Sequence, residues 1–276
     1  MFFFVLVLYK CKLSDSVSFI SISNSLKENG IKADILIWDN SPEPQKLSSV
    51  DKEVWDFVKY RHCPENDGVS KAYNAGAVIA NNLDRKWLIL LDQDTEFNVD
   101  IIKKLYEIIS SNHSYKILAP VVKLKNGNNF SPFIYKHKRG YEVNLVSNRT
   151  YSLSTYGIIN SGMVIETKAF VASGGYNEKV KLDFADTQFI ENFRKFYSEF
   201  FLFDSIAFQD FSNDEKDISK LARRFEIYCN CAKNCNKHTL KEHAEYFYTV
   251  FRHSVGLAIK TKKILFINKF LKHYLL

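Results

Sequence analysis

The sequence predicts an α/β fold on a largely parallel sheet, and three observations carry that expectation. Strand-like and helix-like segments alternate through the first 125 residues, the rhythm of repeated βαβ units. The strand-like segments are apolar at nearly every position, as strands buried on both faces are. Each apolar run then ends in polar residues: Tyr9, then Asp39 and Asn40, then Asp92 and Asp94. Parallel strands place their carboxyl ends on one rim, and ligands of open α/β sheets bind outside that rim.

The elements follow in order. FFFVLVLY (2–9) is the first strand. A helix from Ser14 to Asn29 starts at Ser14 or Asp15 as N-cap and stops at Gly30. ADILIWDN (33–40) is the second strand, closed by the turn signal Asn40-Ser41-Pro42. Phe57 to His62 is the third. A helix opened by Gly68 covers Val69 to Asn81, and the fourth strand runs from Lys86 to Asp92. A helix over 99–110 and a strand over 117–122 complete the alternation. The stretch 124–153 is poorly periodic and rich in Lys, Asn and Tyr, which predicts loops or small strands over the site. A strand-like run returns over 154–166, and the chain after Lys216 is helical and basic.

Composition narrows the class. Of 276 residues, 46% are hydrophobic and 25% charged, the balance of a globular chain with a sizeable core. MFFFVLVLYK has eight apolar residues but no basic start and no small-residue cleavage site, so it predicts a buried strand rather than a signal peptide. No apolar run approaches the roughly 18 residues of a membrane span. Five cysteines without disulfide spacing predict a reducing, cytoplasmic setting. The net charge of +7 is uneven. Residues 216–276 hold 13 Lys and Arg against 4 Asp and Glu, whereas the first 215 hold 25 against 27. The basic end points to nucleic acid, an anionic membrane surface or a phosphorylated substrate.

The acids at the rim call for a partner. Alternation on a strand places Asp92 and Asp94 on one side, and burying like charges unpaired is costly. A divalent cation would reconcile them, and a solvated turn would also account for them. In ENDGVSKAYNAG, Gly68 allows a close backbone approach just before a helix N-terminus, where phosphate oxygens are favoured. Lys71 then faces a diphosphate or simply solvent. Asp39 is placed to accept from a pyrimidine imide N–H, or to close an Asx-turn. Asp183 and Asp186 lie three apart, on one face if LDFADTQF is helical. Cys229, Cys231, Cys235 and His238 fit no common zinc spacing and predict buried thiols instead.

Taken in order, VLVLYKC, DILIWDNS, ENDGVSKAYNAG and LILLDQD resemble the motifs of family 2 glycosyltransferases. These are enzymes of the GT-A fold, a Rossmann-like nucleotide-sugar-binding domain. The resemblance continues through SGMVIETKAF, GGYNE (174–178) and KLDFADTQF (181–189) and covers about the first 215 residues. It is strongest to rhamnosyltransferase-type members of bacterial O-antigen and capsular polysaccharide synthesis. It implies a catalytic domain over 1–215, followed by a basic, amphipathic helical segment over 216–276 that can associate with an anionic membrane surface.

The resemblance also implies chemistry. A sugar would pass, with inversion, from a nucleoside diphosphate donor to a lipid-linked saccharide at the inner face of the cytoplasmic membrane. dTDP-rhamnose is the expected donor and a UDP-sugar the runner-up; no nucleic acid is involved. Tyr9, Asp39, Asn66, Gly68, Lys71, Asn74, Asp92, Gly175 and Asp183 would bind substrate. Asp92 and Asp94 would hold Mg²⁺ or Mn²⁺, and Asp186 would be the general base.

Two departures stand out. Tyr73 replaces an Arg often seen in the family. Gln209, in AFQDFS, stands where a His is usual, so that Asp210 or water would complete the metal shell. A nucleotidyltransferase would show a Gly-rich, basic loop after the first strand, which Tyr9-Lys10-Cys11 is not. A non-catalytic nucleotide-sugar-binding protein is the other alternative, and donor hydrolysis separates it from an enzyme.

Overall fold

The computed structural model describes residues 1–47, 50–111, 114–210 and 217–276. The first half runs β1 (Phe2–Leu8), α1 (Val17–Glu28), β2 (Ala33–Asp39), β3 (Trp55–His62), α2 (Gly68–Asn82), β4 (Trp87–Asp92), β5 (Thr95–Phe97), α3 (Ile101–Ser110) and β6 (Ile117–Leu124). Five short strands follow: β7 (Asn129–Ser131), β8 (Phe133–Lys136), β9 (Arg139–Glu142), β10 (Arg149–Ser152) and β11 (Tyr156–Gly157). The chain continues through β12 (Val164–Glu166), α4 (Thr167–Ala172), α5 (Ala185–Phe193) and β13 (Glu199–Gln209). It ends in α6 (Ile218–Asn234), α7 (Leu240–Thr261) and α8 (Leu265–Phe270).

The central sheet has the order β10-β13-β6-β12-β4-β1-β2-β3, with β5 on β13 and β7 on β6. β3, β2, β1 and β4 run parallel, as do β6 and β13, while β12 lies antiparallel between β4 and β6. Every residue of β1 and β2 is buried. One sheet face packs on α1 and α3 through Phe19, Ile22, Ile102 and Leu105. The other packs on α2, α4 and α5. β8, β9 and β11 form a separate small sheet. β8 and β9 are among the small strands expected over 124–153, whereas β7 and β10 of that stretch join the central sheet.

Several boundaries differ from expectation. The helix of α1 is capped by Ser16, whose hydroxyl accepts from the Phe19 N–H at 3.3 Å, while residues 13–15 form a 3₁₀ turn. The strand-like run 154–166 is two short strands separated by a turn, with Gly162 at φ +79.

The basic C-terminal segment shares the core of the sheet. Phe225, Cys229, Tyr246, Val250, Phe266 and Phe270 belong to the same apolar cluster as β1, β4 and α2. Cys229, Cys231 and Cys235 are buried free thiols, while His238 points to solvent. Burial pushes the Cys229 and Cys235 thiols up to about 12. The expected boundary at 215/216 lies outside the described residues. Among the described residues no helix is long and apolar enough to cross a membrane.

Candidate active site

The rim forms because β1, β2 and β4 are parallel neighbours. The register pairs Leu8 with Asp39 and Val7 with Asp92, so the two acids flank the end of β1. Tyr9 follows directly. Its backbone is clamped by Gln93, whose side chain accepts from Tyr9 N–H at 2.7 Å and donates to Tyr9 C=O at 3.2 Å. The Tyr9 ring is left exposed.

Asp39 is fully buried, and both its oxygens are engaged. Oδ1 accepts from Ser41 N–H at 2.9 Å, and Oδ2 accepts from Gln45 Nε2 at 2.8 Å and the Tyr60 hydroxyl at 2.9 Å. Burial alone would raise its pKa, but these donors hold it below the usual carboxylate range.

Asp92 ends β4 with both oxygens fixed. The buried Tyr73 hydroxyl donates to Oδ1 at 2.8 Å, and the Ser161 hydroxyl donates to Oδ2 at 2.6 Å. Tyr73 thus occupies the Arg position with a different task, which is to orient Asp92. Asp94 does not continue the strand. It lies in the tight turn between β4 and β5, so the turn rather than strand alternation brings it beside Asp92. Burial of its carboxyl group, and then the charge on Asp92, push Asp94 up to about 6, partly offset by a backbone donor and Gln209. Gln209, the last residue of β13, donates from Nε2 to Asp94 Oδ1 at 3.4 Å, and its buried Oε1 has no hydrogen-bond partner among the described residues. Asp210, the alternative shell member, pairs with Lys125 at 2.8 Å.

These donors suit a hard divalent cation. Two neighbouring acids, one of them pushed up by burial and by the charge of the other, with an amide oxygen beside them, can take a cation. Among the described residues no group of three His, Cys, Asp or Glu forms a ready metal cage. Phosphate oxygens and water would complete the shell, as they commonly do for magnesium.

The ENDGVSKAYNAG segment does other work than expected. A Cβ on Gly68 (φ +86) would lie 2.4 Å from the Lys181 carbonyl oxygen, so the close backbone approach is to Lys181 and not to a ligand. Val69 N–H, in the first turn of α2, donates to that same oxygen at 2.8 Å. The Ser70 hydroxyl donates to the Val180 carbonyl, and the Asn66 carbonyl accepts from Lys181 Nζ at 3.2 Å. Asn74 donates to Tyr176 C=O at 2.9 Å and Glu178 at 3.0 Å while accepting from Tyr176 N–H at 2.8 Å. A Cβ on Gly175 would stand 2.6 Å from Asn74 Oδ1. Lys71 pairs with Asp67 at 2.9 Å. The start of α2 is thus a latch that grips the chain from Gly175 to Lys181.

That chain leads into the second acidic pair. α5 begins at Ala185, after Phe184 at φ +65, so Asp183 lies outside the helix and shares no helical face with Asp186. Asp183 is held by a two-pronged ion pair with Arg224 of α6, with Nη2 to Oδ1 at 2.7 Å. Asp186 has one backbone donor, Thr187 N–H at 2.7 Å. Burial, only partly offset by that bond and reinforced by the charge on Asp92, pushes Asp186 up to about 7. Tyr73 and Tyr176 lie between the two acids, with ring centroids 5.4 Å apart, and the Tyr176 hydroxyl donates to Asn160 at 2.6 Å. The sequence reading missed Tyr73, Gln93, Ser161 and Tyr176 as site residues. For Gln93, the signal was its position between the two rim acids.

Sheet order, rim and acids define a GT-A-type α/β protein. The family model described as glycosyl transferase family 2 matches residues 22–170; the chain belongs to that family. Among characterised relatives it is similar to the dTDP-rhamnosyl transferase RfbF of Shigella flexneri, 26% identical over 125 residues. That alignment spans 45% of this chain and 42% of the relative, so the chain matches under half of that protein. The fold is similar to S. aureus TarS bound to UDP (TM-score 0.51, 13% identity, 92% of this chain and 72% of that one). It is also similar to GalNAc-T7 with UDP, GalNAc and Mn²⁺ (TM-score 0.58, 14% identity, 95% and 57%).

Proposed function

We propose that this chain is an inverting glycosyltransferase that moves rhamnose from dTDP-rhamnose onto a lipid-linked saccharide during surface polysaccharide synthesis. One observation carries the reading. A half-buried carboxylate pushed up to about 7, Asp186, lies near enough to a separate acid pair suited to a cation to feel the charge of Asp92. Titratable groups tuned differently by their surroundings are what acid–base catalysis near pH 7 requires. The likeness to RfbF supports the dTDP-sugar. The UDP in the TarS and GalNAc-T7 structures favours a UDP-sugar as the second reading.

Asp94, Asp92 and the Gln209 amide oxygen would hold Mg²⁺ or Mn²⁺. When bound, the cation neutralises charge on the departing diphosphate. Asp186 takes the proton of the acceptor hydroxyl as that oxygen bonds to the anomeric carbon. The bond from that carbon to the diphosphate breaks, and its electron pair leaves with the nucleotide. Attack opposite the leaving group inverts the configuration.

Association with the inner membrane face is part of the reading. Ile259, Ile264, Leu271 and Leu275 are exposed beside Lys260, Lys262, Lys263 and Lys272. Each such Lys contributes about 1 kcal/mol near an anionic surface, less at high salt. Phe270 and Tyr274 of the same segment pack on the core instead. The test is donor turnover with Mn²⁺. Cleavage of dTDP-rhamnose in preference to UDP-hexoses supports the reading, and cleavage of neither leaves a binding protein.

A further inference from the structure

A cleft of about 790 Å³ opens beside Asp186, between β8–β9 and the C-terminal helix α7. Its volume suits one or two sugar rings. Tyr135, Tyr141, Phe184 and Tyr228 present aromatic surface to it. Its other charges are largely matched: Asp183 pairs with Arg224, Lys138 pairs with Glu191 at 2.5 Å, and Glu142 accepts from Asn129 N–H at 2.9 Å. Two lining cations differ. Arg139, stacked 5.4 Å over the Tyr141 ring, and Arg252, on α7, have no carboxylate partner among the described residues. α7 also contributes Gly256 to the wall, and a Cβ there would meet nothing within 4 Å. Glycine in mid-helix is unfavourable, and here its effect is to leave the cleft open. Ile259, one turn on, lines the same cleft and leads to the exposed apolar end of the chain.

We propose that this cleft is the acceptor site and that Arg139 and Arg252 recognise a phosphate or diphosphate on the acceptor. The proposal rests on the glycosyltransferase reading for the word acceptor, but the anion site stands on the cleft alone. Guanidinium groups bind phosphate oxygens in pairs, and the aromatic wall receives the adjoining sugar or prenyl chain. The C-terminal segment is then part of the substrate site as well as part of the core.

The test is calorimetric titration of inorganic pyrophosphate and of geranyl diphosphate, with the nucleotide site held by saturating dTDP and Mg²⁺. Wild type should bind at least one of them. Arg252→Gln and Arg139→Gln should each weaken binding about tenfold or more, the scale of a charge-assisted hydrogen bond. Gly256→Leu should weaken it as strongly while the melting temperature holds or rises, since leucine favours helix. Its nucleotide affinity should stay unchanged. Tighter binding of geranyl diphosphate supports a lipid-linked source, and equal binding supports recognition of the phosphate group alone. No binding by wild type, or equal binding by the Arg and Gly256 variants, overturns the proposal. Absence of nucleotide binding would instead count against the glycosyltransferase reading, and the variants would still report on the cleft.

Discussion

The two acidic centres of this molecule are dressed differently. On the rim of β1, β2 and β4, Asp39 accepts three bonds and Asp92 two, all from neutral donors fixed by packing. Across the tyrosine pair, Asp186 has a single backbone donor and faces an open cleft. A carboxylate wrapped in donors is held rigid, which suits a group that positions a charged ligand, and at Asp39 the same donors hold the pKa below the usual range. One pushed toward neutral pKa suits a group that must gain and lose a proton. The latch from α2 to residues 175–181 ties the start of that helix to the segment leading into α5.

The comparison breaks most visibly at Asp186. Asp186→Asn keeps an oxygen for Thr187 N–H and removes the proton acceptor. Turnover should fall about 10²–10⁴-fold, with donor affinity unchanged in a separate titration. Asp183→Asn should lose less turnover. Wild-type turnover from Asp186→Asn alongside a dead Asp183→Asn would move the base to Asp183.

The same substitution should stabilise the metal-free protein in a pH-dependent way. Folding raises the Asp186 pKa from an ordinary 3.8 to about 7, so the folded state prefers the protonated acid. This contribution is negligible below about pH 3.8, its cost builds as pH rises from there to about 7, and it is fully present above 7. Asp186→Asn should match wild type near pH 4 and exceed it at pH 8 by on the order of 1–3 kcal/mol. Chemical denaturation at both pH values checks this. An equal difference at the two would place Asp186 in solvent.

A smaller effect sharpens the donor side. Tyr73→Phe removes the hydroxyl that fixes Asp92 Oδ1 and leaves the buried ring in place. Metal-dependent nucleotide affinity should drop by about tenfold, the scale of one hydrogen bond to a charged group. Unchanged affinity would mean that Ser161 alone orients Asp92.

Much of the donor half was legible in the sequence because its signal is local. Unbroken apolar runs mark strands buried on both faces, and the polar residue ending each run falls on the rim once the strands are parallel. The latch was not legible. Gly68 and Lys181 are far apart in sequence, and nothing near Gly68 says whether its missing side chain clears a ligand or a carbonyl. Asp183 and Asp186 were placed on one helical face by their spacing, but the helix begins between them. The chain after Lys216 reads as helical and basic, and neither property says what a helix such as α7 lines. Gly256 therefore gave no hint of the cleft.

The central claim is that a cation-assisted donor site and a separate proton-accepting site share this fold. Calorimetric titration of dTDP into wild type, Asp94→Asn and Asp186→Asn, with and without Mn²⁺, tests it most directly. Binding should strengthen at least tenfold with Mn²⁺ in wild type and in Asp186→Asn, and lose that dependence in Asp94→Asn. Equal affinity with and without Mn²⁺ in wild type, or loss of metal dependence in Asp186→Asn, would contradict it.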